Sequence, residues 1–587
     1  MPSTAPSQPA THTVRRLVII GAVAAGTSVG AKARRNDEQL EIVVYDRDRD
    51  ISYSGCGLPY YVGGQVADAD ELHPRDPAWF AKRYNMDIRT GHEVIAVDHP
   101  NRTIRVADLA TGTEFTDTYD TLVLATGARS IVPPIPGVDA RGVFTVRNVQ
   151  NAEAIRAWIL TRRAKTAVVV GSGFIGLEMA EQLTEAGLQV TIVERLPQVM
   201  PALDPDMAFR VQEELVRRHV TVHLARSVTA VDATNDSVTG VQLDNGDTLP
   251  ADVVIMSVGV RPDTTLAVQV GAELGPTGAI KVDHTMRTTV DDIYAVGDVA
   301  ESYSLITGNP IWRPLGSTAN KMGRIAGDAI TGGTLSHRGI LGTGIVRVFD
   351  LGVGHTGLTE TEARAQGFDI EVVHNIKPAH ATYVGGRELI TKAIAERGTG
   401  RLLGAQAIGP QGVDKRIDVL ATAISFGAHA EDLFHLDLAY SPPFATTKDP
   451  IHYTGMALDN ALTGKAPLIT PADLDARLKA GDTLQIVDVR SGRDYTKSHI
   501  EGAINIPLAN LRERADELDP GLPTVTYCNK GVSGNAGQNI LLRLEFATVY
   551  NLSGGNNNYQ THRRGLTYGA EIAASGTAPL VTSAVIE

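Results

Sequence analysis

Short apolar runs alternate with helical segments along much of the chain. Residues 17–20 are rich in β-branched side chains and predict a buried strand, 21–35 predict a tight turn and a helix, and 41–46 predict the next strand. The same order returns at 166–170, 177–186 and 189–194. Strands separated by single helices form parallel sheets, so the pattern predicts an α/β fold with two βαβ units.

The turn of the first βαβ unit has the spacing of a dinucleotide-binding fingerprint. A glycine makes the turn and a second one permits close packing of the helix, while Asp46 ends the next strand where a carboxylate can bind ribose hydroxyls. Since a helix N-terminus attracts phosphate, this turn is predicted to face a pyrophosphate. The residues of the turn are Gly21, Ala22, Val23, Ala24 and Gly26, with Val23 replacing the usual middle glycine.

The turn of the second unit carries the complete fingerprint. Its predicted nucleotide-binding residues are Gly171, Gly173, Ile175 and Gly176. Glu194 ends the next strand, where a carboxylate would accept a hydrogen bond from a ribose 2′-hydroxyl and repel a 2′-phosphate. This favours NADH, although the neighbouring Arg195 leaves NADPH open.

Composition narrows the classes of function. The chain has 587 residues, which predicts three or four domains, and its formal charge of −13 argues against a nucleic-acid surface. Two cysteines are too few for a disulfide framework, so we expect a reducing cytoplasm. The apolar run 17–31 is interrupted by glycines and is shorter than a membrane span, so we expect no membrane association. We predict no metal site.

Two later segments resemble the FAD-binding segments of flavoproteins with two dinucleotide domains. Residues 119–127 form a strand that runs into Ala125, Thr126 and Gly127, and residues 289–298 form a strand that ends at Gly297 and Asp298. The resemblance implies that the first βαβ unit binds FAD, that Asp298 binds the ribityl chain, and that the second unit is an NAD(P)H-binding domain inserted between two FAD-binding segments.

Cys56 lies in the motif Ile-Ser-Tyr-Ser-Gly-Cys-Gly-Leu-Pro-Tyr-Tyr at 51–61, shortly after Asp46. With the two nucleotide units, this motif resembles the single-cysteine branch of the pyridine nucleotide–disulfide oxidoreductases over residues 15–458. That branch includes coenzyme A-disulfide reductases, CoA-persulfide reductases, and NADH oxidases and peroxidases. The resemblance implies that NADH reduces FAD, and that the flavin then delivers electrons to a mixed disulfide between Cys56 and CoA.

The segment 336–458 has the place of that family's dimerisation domain. In CoA-disulfide reductases, tyrosines matching Tyr383 and Tyr440 reach the active site of the partner subunit, which implies a homodimer with shared active sites. The chain departs from the family pattern at Val384 and Gly55. The residues that we assign to the substrate, by resemblance or by proximity to motifs, are Ser52, Lys32, Arg35, Lys82, Arg83 and Lys448.

Residues 468–570 resemble a rhodanese domain. A strand delivers Cys528 into the loop Asn-Lys-Gly-Val-Ser-Gly at 529–534, where the family carries a persulfide. Ser533 stands where related fusions often have Arg, so the preferred sulfur donor can differ. We interpret Asp488, Arg490 and His499 as structural.

The predicted architecture is α/β, with two Rossmann-like domains for FAD and NAD, an α+β dimerisation domain and a C-terminal α/β rhodanese domain. The predicted boundaries are a disordered tail at 1–14, FAD-binding segments at 15–150 and 276–335, NAD(P)H-binding at 151–275, dimerisation at 336–458, a linker at 459–467, rhodanese at 468–570 and a tail at 571–587.

The predicted function is FAD-dependent, NAD(P)H-driven reduction of CoA disulfide or CoA persulfide, with the rhodanese domain handling sulfane sulfur. Cys56, Tyr383, Tyr440 and Cys528 are the predicted catalytic residues. Two alternatives stay open at this point. One is an NADH oxidase or peroxidase in which Cys56 cycles through a sulfenic acid, and the other is a redox or sulfur sensor.

Overall fold

A computed structural model describes residues 15–464 and 466–575, with side chains described to 570. The predicted tail 1–14 and the last part of the predicted tail 571–587 lie outside the described residues. The chain forms two compact units. The first holds the chain up to Ile131 together with Val146–Arg156 and Gly259–Ile340, and the second holds Val132–Thr145, Ala157–Val258 and the chain from Leu341 onward. The domain boundaries given above stay predictions.

A parallel five-stranded sheet forms the centre of the first unit. In spatial order its strands are Ile293–Ala295, Thr121–Leu124, Arg16–Ile20, Glu41–Asp46 and Asp87–Thr90. The helices of this unit are Ala24–Asn36, Leu58–Val62, Pro77–Tyr84, Thr265–Gln269 and Gly316–Ile330. The central strand is almost wholly buried, and its core contains residues of the helices Ala24–Asn36 and Gly316–Ile330 and of the antiparallel strands His92–Asp98 and Thr103–Asp108. The strand ends on one edge therefore form the floor of the nucleotide site.

Smaller elements surround this sheet. An antiparallel sheet contains His92–Asp98, Thr103–Asp108 and Glu114–Thr118. Two-stranded pairs join Ala128–Ser130 to Val260–Pro262 and Ser302–Tyr303 to Pro310–Ile311. Short 3-10 turns cover Gly55–Gly57, Ala69–Leu72 and Gly297–Val299. The predicted redox cysteine is therefore in a short turn that directly precedes the helix Leu58–Val62.

The second unit begins with another parallel sheet. Its strands, in spatial order, are Thr221–Leu224, Gln189–Glu194, Thr166–Val170, Val253–Met256 and Val143–Phe144. Its helices are Phe174–Glu185 and Pro205–Arg217, and the helix Val149–Arg162, which follows the strand Val143–Phe144 in the chain, has its first part in the first unit. An antiparallel sheet contains Val228–Thr234, Ser237–Leu243 and Thr248–Pro250. The two parallel sheets confirm the prediction of two dinucleotide-binding folds.

The rest of the second unit contains one antiparallel and one parallel sheet. The antiparallel sheet has the order Gly344–Val348, Leu351–Gly357, Leu402–Gly409, Glu388–Glu396 and Ile370–Pro378. Its helices are Glu360–Ala365, Val413–Ser425, Asp432–His435 and Pro450–Leu462, with a 3-10 turn at Thr382–Val384. The last helix extends into the segment predicted as a linker. The mixture of antiparallel sheet and helices agrees with the predicted α+β class.

The C-terminal parallel sheet has the order Leu468–Ile469, Val549–Leu552, Thr524–Tyr527, Gln485–Asp488 and Ile504–Asn505. Its helices are Pro471–Lys479, Gly492–Lys497, Val532–Arg543 and Gly555–Ser575, and 3-10 turns cover Leu508–Asn510 and Ala515–Glu517. This α/β layer completes the predicted fold class. No helix among the described residues is long and apolar enough to span a membrane.

Candidate functional site

A cavity of about 420 Å³ lies at the carboxyl edge of the first parallel sheet. The predicted nucleotide-binding residues that line it are Gly21, Val23, Asp46, Ala125, Thr126 and Gly127. Tyr53, Arg147 and Asn148 line it as well, although the sequence did not single them out. One cavity thus gathers residues that are far apart in the chain.

Close backbone contacts explain the two glycines of the first fingerprint. Gly21 has φ +108°, and a Cβ there would lie 2.3 Å from the Ala125 carbonyl oxygen. A Cβ at Gly26 would lie 1.9 Å from the Gly21 carbonyl oxygen. Any larger residue would therefore push the helix Ala24–Asn36 away from the strand edge and widen the turn.

Asp46 holds the first turn from the neighbouring strand. Its carboxylate accepts hydrogen bonds from the N–H of Ala22 at 2.7 Å and from the N–H of Asp48 at 2.9 Å. Burial raises the pKa of Asp46 to about 6, and the two N–H donors act in the opposite direction. A ribose hydroxyl that donated to this carboxylate would favour its ionised form, so the buried acid fits the ribose of a bound FAD.

Gly297 and Asp298 follow the last strand of the same sheet. A Cβ at Gly297, which has φ +77°, would lie 2.8 Å from the Cβ of Ala25. The Asp298 carbonyl accepts a hydrogen bond from the Trp312 indole at 2.8 Å, and burial raises the pKa of the Asp298 carboxyl. The structure brings Gly297 to the helix Ala24–Asn36, which follows the first fingerprint turn, and the contact of Gly297 and Asp298 with FAD stays a prediction.

A second cavity of about 530 Å³ lies beside the first in the same unit. Val23 and Tyr53 line both cavities, so they form a shared wall. The predicted substrate residues that line the second cavity are Ser52, Lys32, Arg35 and Arg83, together with the predicted turn residues Val23 and Ala24. It also contains Arg75, Trp79, Tyr84, Asn320 and Arg324, which the sequence analysis did not assign.

This second cavity is rich in positive charge. Lys32 forms an ion pair with Asp328 at 2.9 Å. Within the part of the chain that the structure describes, no carboxylate lies within salt-bridge distance of Arg35, Arg75 or Arg83. Arg35 instead donates to the Tyr84 hydroxyl at 2.9 Å, and Arg75 lies 4.9 Å from the centre of the Trp79 ring. Cations without carboxylate partners at a concave surface are suited to binding phosphate groups.

Cys56 is exposed and lies in the turn Gly55–Gly57. The segment that leads into the turn is held at two points, because Ser52 donates its N–H to the Ala22 carbonyl at 2.9 Å and Ser54 donates its N–H to the Leu72 carbonyl at 2.8 Å. Through Ser52, the cysteine loop is connected to both the first fingerprint turn and the cation-lined cavity. Cys56 is not among the residues that line these two cavities, and its exposure leaves the thiol open to a substrate.

The second fingerprint is built in the same way as the first. Gly171 has φ +99°, and a Cβ at Gly176 would lie 2.1 Å from the Gly171 carbonyl oxygen. A Cβ at Gly173 would meet no atom within 4 Å, which leaves room for a phosphate at the start of the helix Phe174–Glu185. Ile175 is partly exposed in the first turn of this helix.

Glu194 is buried and already accepts three hydrogen bonds. One carboxylate oxygen accepts from the N–H and the hydroxyl of Ser172 at 2.8 and 2.7 Å, and the other accepts from the N–H of Leu196 at 2.9 Å. The carboxylate fixes the conformation of the turn and places negative charge where a nucleotide ribose would lie. This geometry fits NADH, and the roles of the individual residues stay predictions.

Tyr383 and Tyr440 lie on neighbouring loops of the second unit. The N–H of Ala381 donates to the Pro442 carbonyl at 3.1 Å, which connects the two loops. Tyr383 is 77% exposed and Tyr440 is 51% exposed. Lys448, the remaining predicted substrate residue, is exposed in this unit with its ammonium 6.0 Å from the centre of the Tyr453 ring. Exposed aromatic rings on connected loops are suited to an interface.

Cys528 directly follows the strand Thr524–Tyr527 and is 8% exposed. The N–H of Gly531 donates to its sulfur at 3.2 Å, directly before the helix Val532–Arg543. Arg490 pairs with the buried carboxylate of Asp488 and donates to Asn529 at 2.9 Å, so this pair supports the loop as expected for a structural role. The sulfur therefore lies where loop and helix N–H groups can stabilise negative charge.

Most of the residues that sequence reasoning missed come from segments with no motif of their own. Tyr53 is the exception, because it lies within the cysteine motif at 51–61 and could have been assigned from that position. Arg75, Trp79 and Arg324 had no local signal, because only the folded chain brings them to one cavity.

Two dinucleotide-binding folds, with an exposed cysteine beside the first and an α/β domain after them, define a two-nucleotide redox protein with an appended domain. The chain belongs to the pyridine nucleotide-disulphide oxidoreductase family, whose profile matches residues 15–311. The dimerisation domain of that family matches residues 344–450, and a rhodanese-like domain matches residues 470–562. The predicted family, the FAD and NAD(P)H cofactors and the oxidoreductase class are thereby confirmed.

Similar proteins of known structure include reduced Bacillus anthracis CoADR-RHD, which is 36% identical with a TM-score of 0.91 over 94% of this chain and 98% of that one. An NAD-dependent persulfide reductase from A. fulgidus is 37% identical with a TM-score of 0.86 over 93% of this chain and 100% of that one. The NAD(P)H sulfur oxidoreductase (CoA-dependent) of Pyrococcus abyssi is 37% identical over 74% of this chain and 96% of its own.

Proposed function

We propose that the protein uses NAD(P)H to reduce a CoA persulfide or CoA disulfide at Cys56, and that Cys528 carries sulfane sulfur. The observation that carries this proposal is the cavity of about 530 Å³ that includes Ser52 and an arginine cluster. CoA is a long anion with several phosphates, and it matches this cavity in charge and size class. The CoA-dependent and persulfide-reducing relatives support the same choice of substrate.

In this proposal the chain binds and orients the substrate. Arg35 and Arg83 bind CoA phosphates in the cavity that Ser52 connects to the cysteine loop, and the substrate sulfur reaches the exposed Cys56 thiol. The Cys56 thiolate then attacks a sulfur of the substrate, a bond to Cys56 forms as the S–S bond of the substrate breaks, and the leaving thiolate takes up a proton. Bound FAD supplies two-electron transfer between NAD(P)H and a disulfide.

The exposed tyrosines have a role if two copies associate. A homodimer would place Tyr383 and Tyr440 beside the Cys56 site of the other copy, where a phenol donates a hydrogen bond to the leaving thiolate. Their exposure and the matching dimerisation domain support this arrangement. We place the protein in the cytoplasm, because two cysteines that act as thiols need a reducing compartment.

The test is anaerobic NADH oxidation by the FAD-loaded protein with CoA persulfide, CoA disulfide or no substrate. We expect fast turnover with a CoA substrate, loss of that turnover in Cys56→Ser, and a higher rate with NADH than with NADPH. A control variant, Arg105→Gln, changes an exposed arginine on the strand Thr103–Asp108 and should behave as wild type.

Two outcomes would replace the proposal. NADH consumption that requires oxygen and no thiol substrate would identify an NADH oxidase or peroxidase. Very slow turnover with every substrate, together with a stable protein partner, would identify a redox or sulfur sensor.

A further inference from the structure

One edge strand of the antiparallel sheet supports the loop that carries Cys528. The N–H of His374, on the strand Ile370–Pro378, donates to the Ser553 hydroxyl at 2.7 Å. Ser553 lies in the turn before the helix Gly555–Ser575, in which the N–H of Asn556 donates to the Cys528 carbonyl at 2.7 Å. The strand and the cysteine loop are therefore held in a fixed arrangement within one compact unit.

Lys377 is three residues further along this strand, and it is only partly exposed. Its ammonium lies 4.0 Å from the centre of the Tyr453 ring, which restricts where the side chain can point. Burial lowers the pKa of Lys377, while the negative charges of the Cys528 thiolate and of Glu388 act in the opposite direction. Pro378, the next residue, faces Glu388 across the sheet, and Glu388 pairs with Lys530, two residues after Cys528, so this end of the strand lies beside the cysteine loop.

Other charged groups near the loop are paired with one another. Lys530 forms an ion pair with Glu388, which faces Pro378 across the sheet. His374 is hydrogen-bonded to Asp206 at 2.5 Å. The buried Asp488–Arg490 pair contacts the loop through Asn529. Over residues 15–464 and 466–570, no carboxylate is within salt-bridge distance of Lys377, so no ion pair neutralises its charge.

We propose that Lys377, from outside the rhodanese domain, is a positioning residue for sulfur transfer at Cys528. This inference rests on the proposed role of Cys528 as a sulfur carrier. The Cys528 thiolate attacks the terminal sulfur of a persulfide donor R–S–SH, and a new S–S bond forms as the donor's S–S bond breaks. The donor leaves as R–S⁻ with the bonding electrons, and the proton stays on the transferred sulfur. Lys377 stabilises the negative charge on the Cys528 sulfur before the attack and on its ionised persulfide afterwards.

The test uses the FAD-loaded full-length chain with Cys56→Ser, in which Cys528 is the remaining cysteine. Iodoacetamide alkylation of Cys528 is followed by mass spectrometry from pH 5.5 to 9.5 in variants Lys377→Met, Lys377→Arg and Lys530→Gln. We expect Lys377→Met to move the midpoint of the profile up by about one pH unit and to slow alkylation several-fold at pH 6.5, with an unchanged plateau at high pH. Lys377→Arg should restore most of the shift, and Lys530→Gln should move the midpoint much less.

Sulfur transfer from thiosulfate to cyanide, measured in the same proteins, separates this inference from the proposed function. A shifted alkylation profile without sulfur transfer in the Cys56→Ser parent would support the electrostatic role of Lys377 and remove the sulfur-carrier role of Cys528. An unshifted midpoint in Lys377→Met would overturn the inference. So would equal losses in Lys377→Met and Lys377→Arg, since a purely structural role predicts no rescue by a conserved charge.

Discussion

The two cysteines of this chain have opposite surroundings. Cys56 is exposed in a short turn beside a cavity of about 530 Å³ lined by arginines. Cys528 is 8% exposed, and its sulfur accepts a hydrogen bond from the N–H of Gly531. An open, cationic site suits a large anionic substrate, whereas an enclosed sulfur suits the transfer of a single small atom. The difference indicates a division of labour between the two sites.

The glycines near the two cysteines also differ in their surroundings, because one lies against a side chain and the other against backbone. A Cβ at Gly57, beside Cys56, would lie 2.5 Å from the end of the Leu72 side chain, which can rotate. A Cβ at Gly555 would lie 2.4 Å from the Cys528 carbonyl oxygen and 2.7 Å from two further backbone atoms. Packing against backbone permits less adjustment than packing against a side-chain end. The Cys528 loop is therefore the more rigid of the two.

Replacing either cysteine with serine should have the largest effect on activity. We expect Cys56→Ser to abolish NADH oxidation with CoA substrates and to retain thiosulfate:cyanide sulfur transfer. Cys528→Ser should abolish sulfur transfer and retain NADH oxidation with soluble CoA disulfide. Both activities are measured on both FAD-loaded variants. The division of labour would be wrong if Cys528→Ser also removed NADH oxidation with CoA disulfide.

Gly555→Ala should have the next largest effect. Gly555 has φ +61°, a conformation that costs an alanine about 1–2 kcal/mol, and the backbone contacts add to that cost. We expect sulfur transfer to fall more than tenfold and the first thermal transition to occur at lower temperature. NADH oxidation with CoA disulfide is the internal control and should change little. Wild-type sulfur transfer in this variant would show that the loop is less rigid than its contacts indicate.

Arg83→Gln, in the cation-lined cavity, should have a smaller effect, which falls on substrate binding. Arg83 is a cavity residue without a carboxylate partner among the described residues, and an exposed charge pair contributes about 1 kcal/mol. We expect KM for CoA disulfide to rise about fivefold with kcat unchanged. Glutathione disulfide, which has no phosphate, serves as the comparison substrate, and Arg105→Gln serves as the control variant. Equal effects on both disulfides would argue against phosphate binding at this position.

Local sequence patterns predicted the strands, helices and nucleotide-binding turns. They did not predict which distant segments of the chain meet at the sites. Gly21, Gly26 and Asp46 could be assigned because one βαβ unit contains the whole turn. The helix predicted at 177–186 begins at Phe174, because the last residues of the fingerprint already form its first turn. Lys377 and Arg324 carried no signal, since their neighbours at the sites come from other parts of the chain. The roles of the predicted site residues remain predictions.

Gly57→Ala should have the smallest effect and tests the contrast between the two loops directly. Gly57 has φ −84°, which alanine adopts without strain, so the cost is limited to moving the end of Leu72. Reduced entropy of the unfolded chain offsets part of that cost, because Gly→Ala at a compatible position stabilises by about 0.4–1 kcal/mol. We expect kcat/KM for CoA disulfide to change less than about threefold. A loss as large as that of Gly555→Ala would mean that the Cys56 turn is held as tightly as the Cys528 loop, and that exposure alone distinguishes the two sites.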